Sequence, residues 1–180
     1  MLKFLIFCLI LTAVGLVLPS FSLSAEKIPT RIVVRVISRD AKVIGSGVGG
    51  AFVRIKDTET GEILAEGKQE GGTGDTERIM AEPHRRGEVI YGTPDAASFQ
   101  AEIPLNKPTR VEIYAEAPLR YPQSLQRGSK TITFIPGKHI LGEGVVIELN
   151  GLIVNILSPK PEASLKKGEE VLVRTEIRML

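Results

Sequence analysis

From residue 31 onward the chain alternates apolar and polar residues with a period of two, and it has no room for anything else. Ile32, Val34 and Val36 alternate with Val33, Arg35 and Ile37, and Ala51, Val53 and Ile55 with Phe52, Arg54 and Lys56. Phe99, Ala101 and Ile103, then Val111, Ile113 and Ala115, then Ile132 and Phe134, then Val145, Ile147 and Leu149 repeat the pattern. Leu152, Val154 and Ile156, and finally Val171, Val173, Thr175 and Ile177, continue it to the end. Successive side chains of a strand point to opposite faces, so each segment predicts a half-buried strand whose named residues form the core. Turn residues fall between them at short intervals: 57–61, 71–74, 104–108, 136–137, 150–151 and 167–168. No window of eleven residues free of Pro and Gly carries the stripe a helix needs. Many short strands at this spacing predict an all-β sandwich or barrel.

The first residues are of another kind. Lys3 precedes an uncharged apolar run from Phe4 to Leu18, Pro19 breaks it, and Ser22-Leu23-Ser24 places small residues where a signal peptidase cuts. This predicts a signal peptide over residues 1–25, with an uncleaved anchor as the alternative, since about 20 apolar residues span a bilayer. On either reading the remainder is exported (periplasmic, cell-surface or secreted), and the chain meets a membrane only through an uncleaved N-terminus.

The single cysteine, Cys8, lies inside that run. The mature chain therefore lacks disulfides, a thiol nucleophile and thiolate metal sites, and must be held by its core. About 156 residues suffice for one domain that buries roughly 70% of its unfolded surface. Of the 23 Lys and Arg, Lys3 belongs to the leader, which leaves 22 against 21 Asp and Glu. The balance is spread along the chain, and neither His84-Arg85-Arg86 nor Lys166-Lys167 has the interleaved aromatics of a base-stacking groove, so no nucleic-acid partner is expected.

The stretch at residues 49–67 reads as a hairpin, with Ala51, Val53 and Ile55 facing Ile63 and Ala65 across Asp57-Thr58-Glu59-Thr60-Gly61. Gly61 falls where such a loop needs positive φ, and Asp57 can bond back to the loop backbone. Gly50-Ala51-x-Val53, Asp57-x-x-Thr60-Gly61-Glu62 and Leu64-Ala65-x-Gly67 resemble the hairpin of transthyretin-like or carboxypeptidase-regulatory-like domains. Pro108-Thr109-Arg110-Val111-x-Ile113-x-Ala115 is similar to that family's penultimate strands, and Gly144-Val145-Val146-Ile147-x-Leu149 to its last. The resemblance covers about residues 30–157. It implies an exported seven-stranded sandwich that attaches, stabilises or presents ligands and has no catalytic residues of its own. The family's usual Thr-Asp-x-x-Gly turn is replaced by Gly74-Asp75-Thr76-Glu77 and an insertion.

The resulting expectation is a single antiparallel β-sandwich of about seven strands, transthyretin-like or Ig-like, over residues 26–157. A Pro-rich link and an extra strand occupy 158–180, free to pair back or to offer an edge to another chain. Residues 81–97 form a polar excursion with one short strand at Val89–Tyr91, of the length that is often functional.

Candidate chemistry is sparse. Gly45-Ser46-Gly47-Val48-Gly49-Gly50 satisfies G-x-G-x-x-G, but a strand pattern follows where a dinucleotide site needs a helix, so the run reads as a flexible loop. Asp57, Glu59 and Glu62 lack calcium-loop spacing, and an exposed hairpin tip does not raise carboxylate pKa values. Met80 and His84 are too few for copper, and no serine sits in a nucleophile elbow. No catalytic, cofactor or metal residues are expected.

The expected function is a non-enzymatic structural or interaction module, a subunit or accessory protein of a larger extracytoplasmic complex. The alternatives are a small-ligand or carbohydrate-binding module, and an accessory subunit of an exported redox or hydrolytic enzyme. Arg85, Arg86, Tyr91, Tyr114 and Tyr121 are the expected binding residues.

Overall fold

The computed structural model describes residues 25–39 and 42–180, so the expected signal peptide lies outside the described residues save Ala25. The strands are β1 (Ile28–Ser38), β2 (Ala51–Asp57), β3 (Ile63–Gln69), β4 (Phe99–Leu105), β5 (Thr109–Ala117), β6 (Gln126–Phe134), β7 (Ile140–Leu149), β8 (Leu152–Ser158) and β9 (Arg174–Met179). Seven of them form two sheets, in the orders β4-β1-β7 and β3-β2-β5-β6, and the last two form a separate ribbon. The fold is the all-β sandwich that the alternation requires, with one departure from an antiparallel arrangement: β1 and β7 run parallel.

The core is the set of inward positions. Ile32, Val34, Val36, Ile103, Ile147 and Leu149 from the first sheet meet Val53, Ile55, Val111, Ile113, Ala115 and Phe134 from the second in one buried cluster. Ala101 and Ile132 pack against it partly buried, and so do Leu64 and Ala65 on edge strand β3. Ile63, expected to face inward, is 48% exposed. A register shift beside Ile55 sets Lys56 opposite Ile63 and displaces the parity of β3. At the hairpin tip Asp57 bonds back as expected, its Oδ1 accepting from the backbone N–H of Glu59 at 2.7 Å and of Thr60 at 3.2 Å.

Expectation and structure part over the other face of the first sheet. Every residue of β1 from Ile32 to Ser38 is buried, including the outward-facing Val33, Arg35 and Ile37. The cover is the polar excursion together with the residues before it from Gly72, a segment whose neck closes through Gly72 N–H to the Asp95 carbonyl and Ala97 N–H to the Gly72 carbonyl. It carries a short helix, α1 (Thr76–Met80), capped by Asp75, whose Oδ1 accepts from Arg78 N–H at 3.1 Å. Ile79, Ala97 and Val43 pack with Ile37 in a second buried cluster, joined by Ile90, Tyr91 and Val146. No strand forms at Val89–Tyr91, because the backbone N–H groups of Ile90 and Tyr91 are taken by the carboxylate of Glu143 instead of a neighbouring strand.

The glycine run is held, not flexible. One 3-10 turn (Ser46–Val48) leads directly to β2. Its backbone is pinned by Ser46 N–H to the Gly71 carbonyl and by Leu119 and Arg120 N–H to the carbonyls of Gly50 and Val48. A Cβ on Gly49 would overlap Arg120 and one on Gly50 the Gln69 carbonyl, so close backbone approach accounts for the glycines.

The C-terminal region also departs from expectation. Leu152, Val154 and Ile156 do not continue the inner face of the sandwich, and Val171 and Val173 precede β9 in non-strand backbone. β8 leaves after Leu149 and pairs antiparallel with β9, so the region has two added strands in place of one.

Candidate interaction surface

The sequence LIVNIL at 152–157 has apolar residues on both parities, so its surroundings decide which face turns inward. Ile153 does: it is fully buried and joins the main core together with Leu180. β8 is fixed at one side to the 3-10 turn Pro122–Ser124, with Val154 N–H donating to Ser124 Oγ at 3.3 Å and Gln123 Nε2 to Asn155 Oδ1 at 2.6 Å. The register sets Leu152 opposite Met179, Val154 opposite Ile177 and Ile156 opposite Thr175.

Directly opposed residues share a face, so these three rungs form one surface of aliphatic side chains. That surface is open. Leu152 is 51% exposed, Val154 43%, Ile156 63%, Ile177 61% and Met179 52%. Val173, of the same parity as Thr175 and Ile177, is also exposed. Single exposed aliphatics are ordinary, whereas a contiguous ladder of them marks a contact surface.

The ionisable residues of the ribbon have the other parity. Glu176 Oε1 accepts from Arg178 Nε at 2.9 Å and Nη2 at 2.6 Å, and its Oε2 from Asn155 Nδ2 at 3.4 Å. The Arg178 guanidinium, then the Asn155 amide, hold the Glu176 carboxyl below its ordinary range.

Where the ribbon meets the body there is a cavity of about 580 Å³ with mainly apolar walls, among them Val43, Ile44, Val48, Met80, Met179 and Leu180. Among the described residues, Lys42 and Arg178 are its lining side chains that carry charge. The volume lies within the range of small-molecule pockets.

The residues expected to bind are scattered. Tyr91 packs behind the first sheet in the second cluster, Tyr114 lies on the outer face of the second sheet, and Tyr121 packs partly buried against the main core. They therefore form no common stacking platform. Tyr114 donates to Glu116 Oε2 at 2.7 Å, and burial, then this bond, push its phenol above its ordinary range. Arg85 and Arg86 are exposed at the tip of the excursion, where Arg85 N–H donates to Glu88 Oε2 at 3.1 Å. His84 Nε2 lies 2.8 Å from the Arg78 carbonyl, and Met80 lines the cavity. Among the described residues no group of three or more His, Cys, Asp or Glu is placed to hold a metal ion.

One polar group that the alternation did not single out holds the first sheet together. Arg35, 7% exposed, donates from Nη1 to the carbonyls of Gly142 at 2.6 Å and Glu143 at 2.9 Å. Its buried Nε has no hydrogen-bond partner among the described residues. Burial lowers the guanidinium pKa and the Glu143 carboxylate opposes that shift. The signal available was an arginine flanked by Val33 and Ile37 at outward positions of an otherwise apolar strand, a composition that marks burial on both faces. No protein-family model, curated protein or solved structure matches this chain.

Proposed function

We propose that this protein is a non-enzymatic interaction module, exported by its N-terminal signal, that joins a larger extracytoplasmic assembly through the outer face of the β8–β9 ribbon. The observation that carries the reading is the ladder Leu152/Met179, Val154/Ile177 and Ile156/Thr175, anchored to the sandwich by Ile153 and Leu180 yet uncovered on its far side. Burying a half-exposed aliphatic side chain contributes on the order of 1 kcal/mol, so five of them in one patch are a strong drive toward a partner. The seven strands split three and four between two sheets support the transthyretin-like reading of residues 30–157. That reading implies a module that attaches or stabilises.

A photo-crosslinking side chain placed at Ile156 in cells, compared with one at Thr131 on β6, tests the proposal. Discrete adducts from position 156 in the exported fraction and none from 131 are expected; absence of adducts from both positions, or retention of the protein in the cytoplasm, defeats it.

A second reading rests on the 580 Å³ cavity. Its apolar walls with Lys42 and Arg178 suit a small ligand that has an apolar body and an anionic head. A medium-chain carboxylate that raises the thermal midpoint of the wild type, but not of a Met179→Lys variant, supports it. The scattered tyrosines lend nothing to carbohydrate binding.

A further inference from the structure

We infer that the occupant of the ribbon face is a second copy of this chain, the two ribbons closing as an isologous four-stranded sandwich; this rests on the interaction reading above. The face is complementary to itself. Its three rungs carry five aliphatic side chains and one threonine, so packing two copies together buries no charge. The ribbon's ionisable residues, Arg174, Glu176 and Arg178, have the opposite parity and stay outside such a contact. The connecting loop, residues 159–173, carries Lys160, Lys166 and Lys167 against Glu162, Glu169 and Glu170, a balanced rim that a copy can meet in either sense.

The area is adequate for this partner. The five half-exposed rung residues, with Val173 at 56% exposed beside them, present an apolar patch of roughly 500–600 Å² per copy, at the lower end of specific interfaces. Two ribbons packed face to face, about 10 Å apart, bury it from both sides. The described start of the chain is not adjacent. It enters the fold at Ile28, which pairs with Leu105 at the end of β1 away from Leu149. Eleven residues of strand separate the two ends, roughly 35 Å.

The twofold axis of such a pair passes near the central rung, Val154 and Ile177, so each of these meets its own counterpart. The test uses the full chain as the cell processes it, in a Cys8→Ser background, by light scattering over a concentration series and by treating a Val154→Cys variant with a bis-maleimide that spans about 10 Å. A dimer is expected, with a covalently linked homodimer after the bis-maleimide treatment. Ile177→Lys sets two cations against each other at the centre and weakens self-association by more than about 100-fold, with far-UV circular dichroism unchanged and, at a concentration where both forms are monomeric, the same unfolding midpoint.

A monomer at high concentration whose Val154→Cys thiol reacts rapidly with maleimide overturns the second copy as occupant while leaving the ribbon free for another protein. A monomer whose thiol is protected shows the face covered within its own chain and overturns the interaction reading as well. A dimer that survives Ile177→Lys places the contact elsewhere and also defeats the inference.

Discussion

The side-chain amide of Gln69, on β3, pairs with the backbone of Val36, on β1, as a neighbouring strand would. Val36 N–H donates to Oε1 at 2.7 Å, and Nε2 donates to the carbonyls of Val36 and Ile44, each at 2.9 Å. Pairing between β1 and β4 ends at Val34 and Phe99, so this edge of Val36 has no strand beside it. Gln69 is fully buried and links the two sheets across the core.

Gln69→Leu therefore deprives two buried backbone groups, the Val36 N–H and the Ile44 carbonyl, of this partner, at about 1–3 kcal/mol each. Urea unfolding is expected to show a loss of about 3 kcal/mol with the m-value retained. A loss under about 1 kcal/mol contradicts the assigned role. Gln69→Glu keeps one acceptor but turns a carboxylate toward two carbonyls, so its stability rises as pH falls and the acid protonates.

Arg35 and Glu143 act at the same bulge of β7, beneath the excursion. Between Ile140 and Val145 the strand gains residues relative to β1, and Arg35 donates to the carbonyls in that gap. Glu143 in turn accepts from Ile90 and Tyr91 at 3.0 and 3.1 Å and so ties down the excursion. Glu143→Ala removes this acceptor from both N–H groups, and amide exchange at residues 90 and 91 is expected to quicken by about 10- to 100-fold. Trypsin should cut sooner after the exposed Arg85 and Arg86 while the sandwich stays folded. Unchanged exchange at these positions would show that apolar packing of Ile79 alone holds the excursion.

Two glycines with nearly equal φ should respond differently to alanine. Gly61 has φ +74° and nothing within 4 Å of an added Cβ. Gly144 has φ +73°, but its Cβ would overlap the Val33 carbonyl oxygen of the central strand. Gly61→Ala meets only the left-handed backbone cost of about 1–2 kcal/mol. Gly144→Ala adds a clash that neither backbone can relieve without parting β1 from β7, and is expected to cost at least about 2 kcal/mol more. Thermal or urea midpoints that fall equally for the two variants would refute the crowding at Gly144.

The inner face of the sandwich was legible because one shared core imposes a single parity on each strand, and Ile32, Val53, Ile113 and Ile147 all obey it. The outer face of β1 was not. Its cover comes from residues 76–97, a segment without a period, so only the apolar outward residues Val33, Ile37 and Val146 hinted that something lay over them. The ribbon failed for a different reason: Leu152 to Leu157 is apolar on both parities, and contacts with Ser124 and Gln123, some thirty residues earlier, decide that Ile153 turns inward. The separation of the tyrosines follows from strand order, since β5 and the excursion lie on opposite sides of the sandwich, a relation that spacing along the chain does not encode.

Acid should loosen the molecule through groups whose directions agree. Backbone N–H groups of Glu59, then Thr60, hold the Asp57 carboxyl below its ordinary range, the Arg85 N–H and then the Arg78 side chain do the same for Glu88, and Arg178 does so for Glu176. A carboxyl with a depressed folded pKa contributes stability that is complete above its unfolded value, near 4 for a carboxylate, and is lost as pH falls through the folded value. The excursion and the ribbon thus weaken over the same acid range as the first hairpin, and a single acid midpoint cannot separate them. Asp57→Asn does separate them, because it keeps a side-chain acceptor for the loop without the charge. The stability difference between wild type and this variant is expected to stay constant above about pH 5 and to shrink steadily below about pH 4. Urea unfolding at intervals from pH 6 to pH 2.5 measures it. A gap as wide at pH 3 as at pH 6 would mean that the hairpin's hold on Asp57 does not depend on its charge.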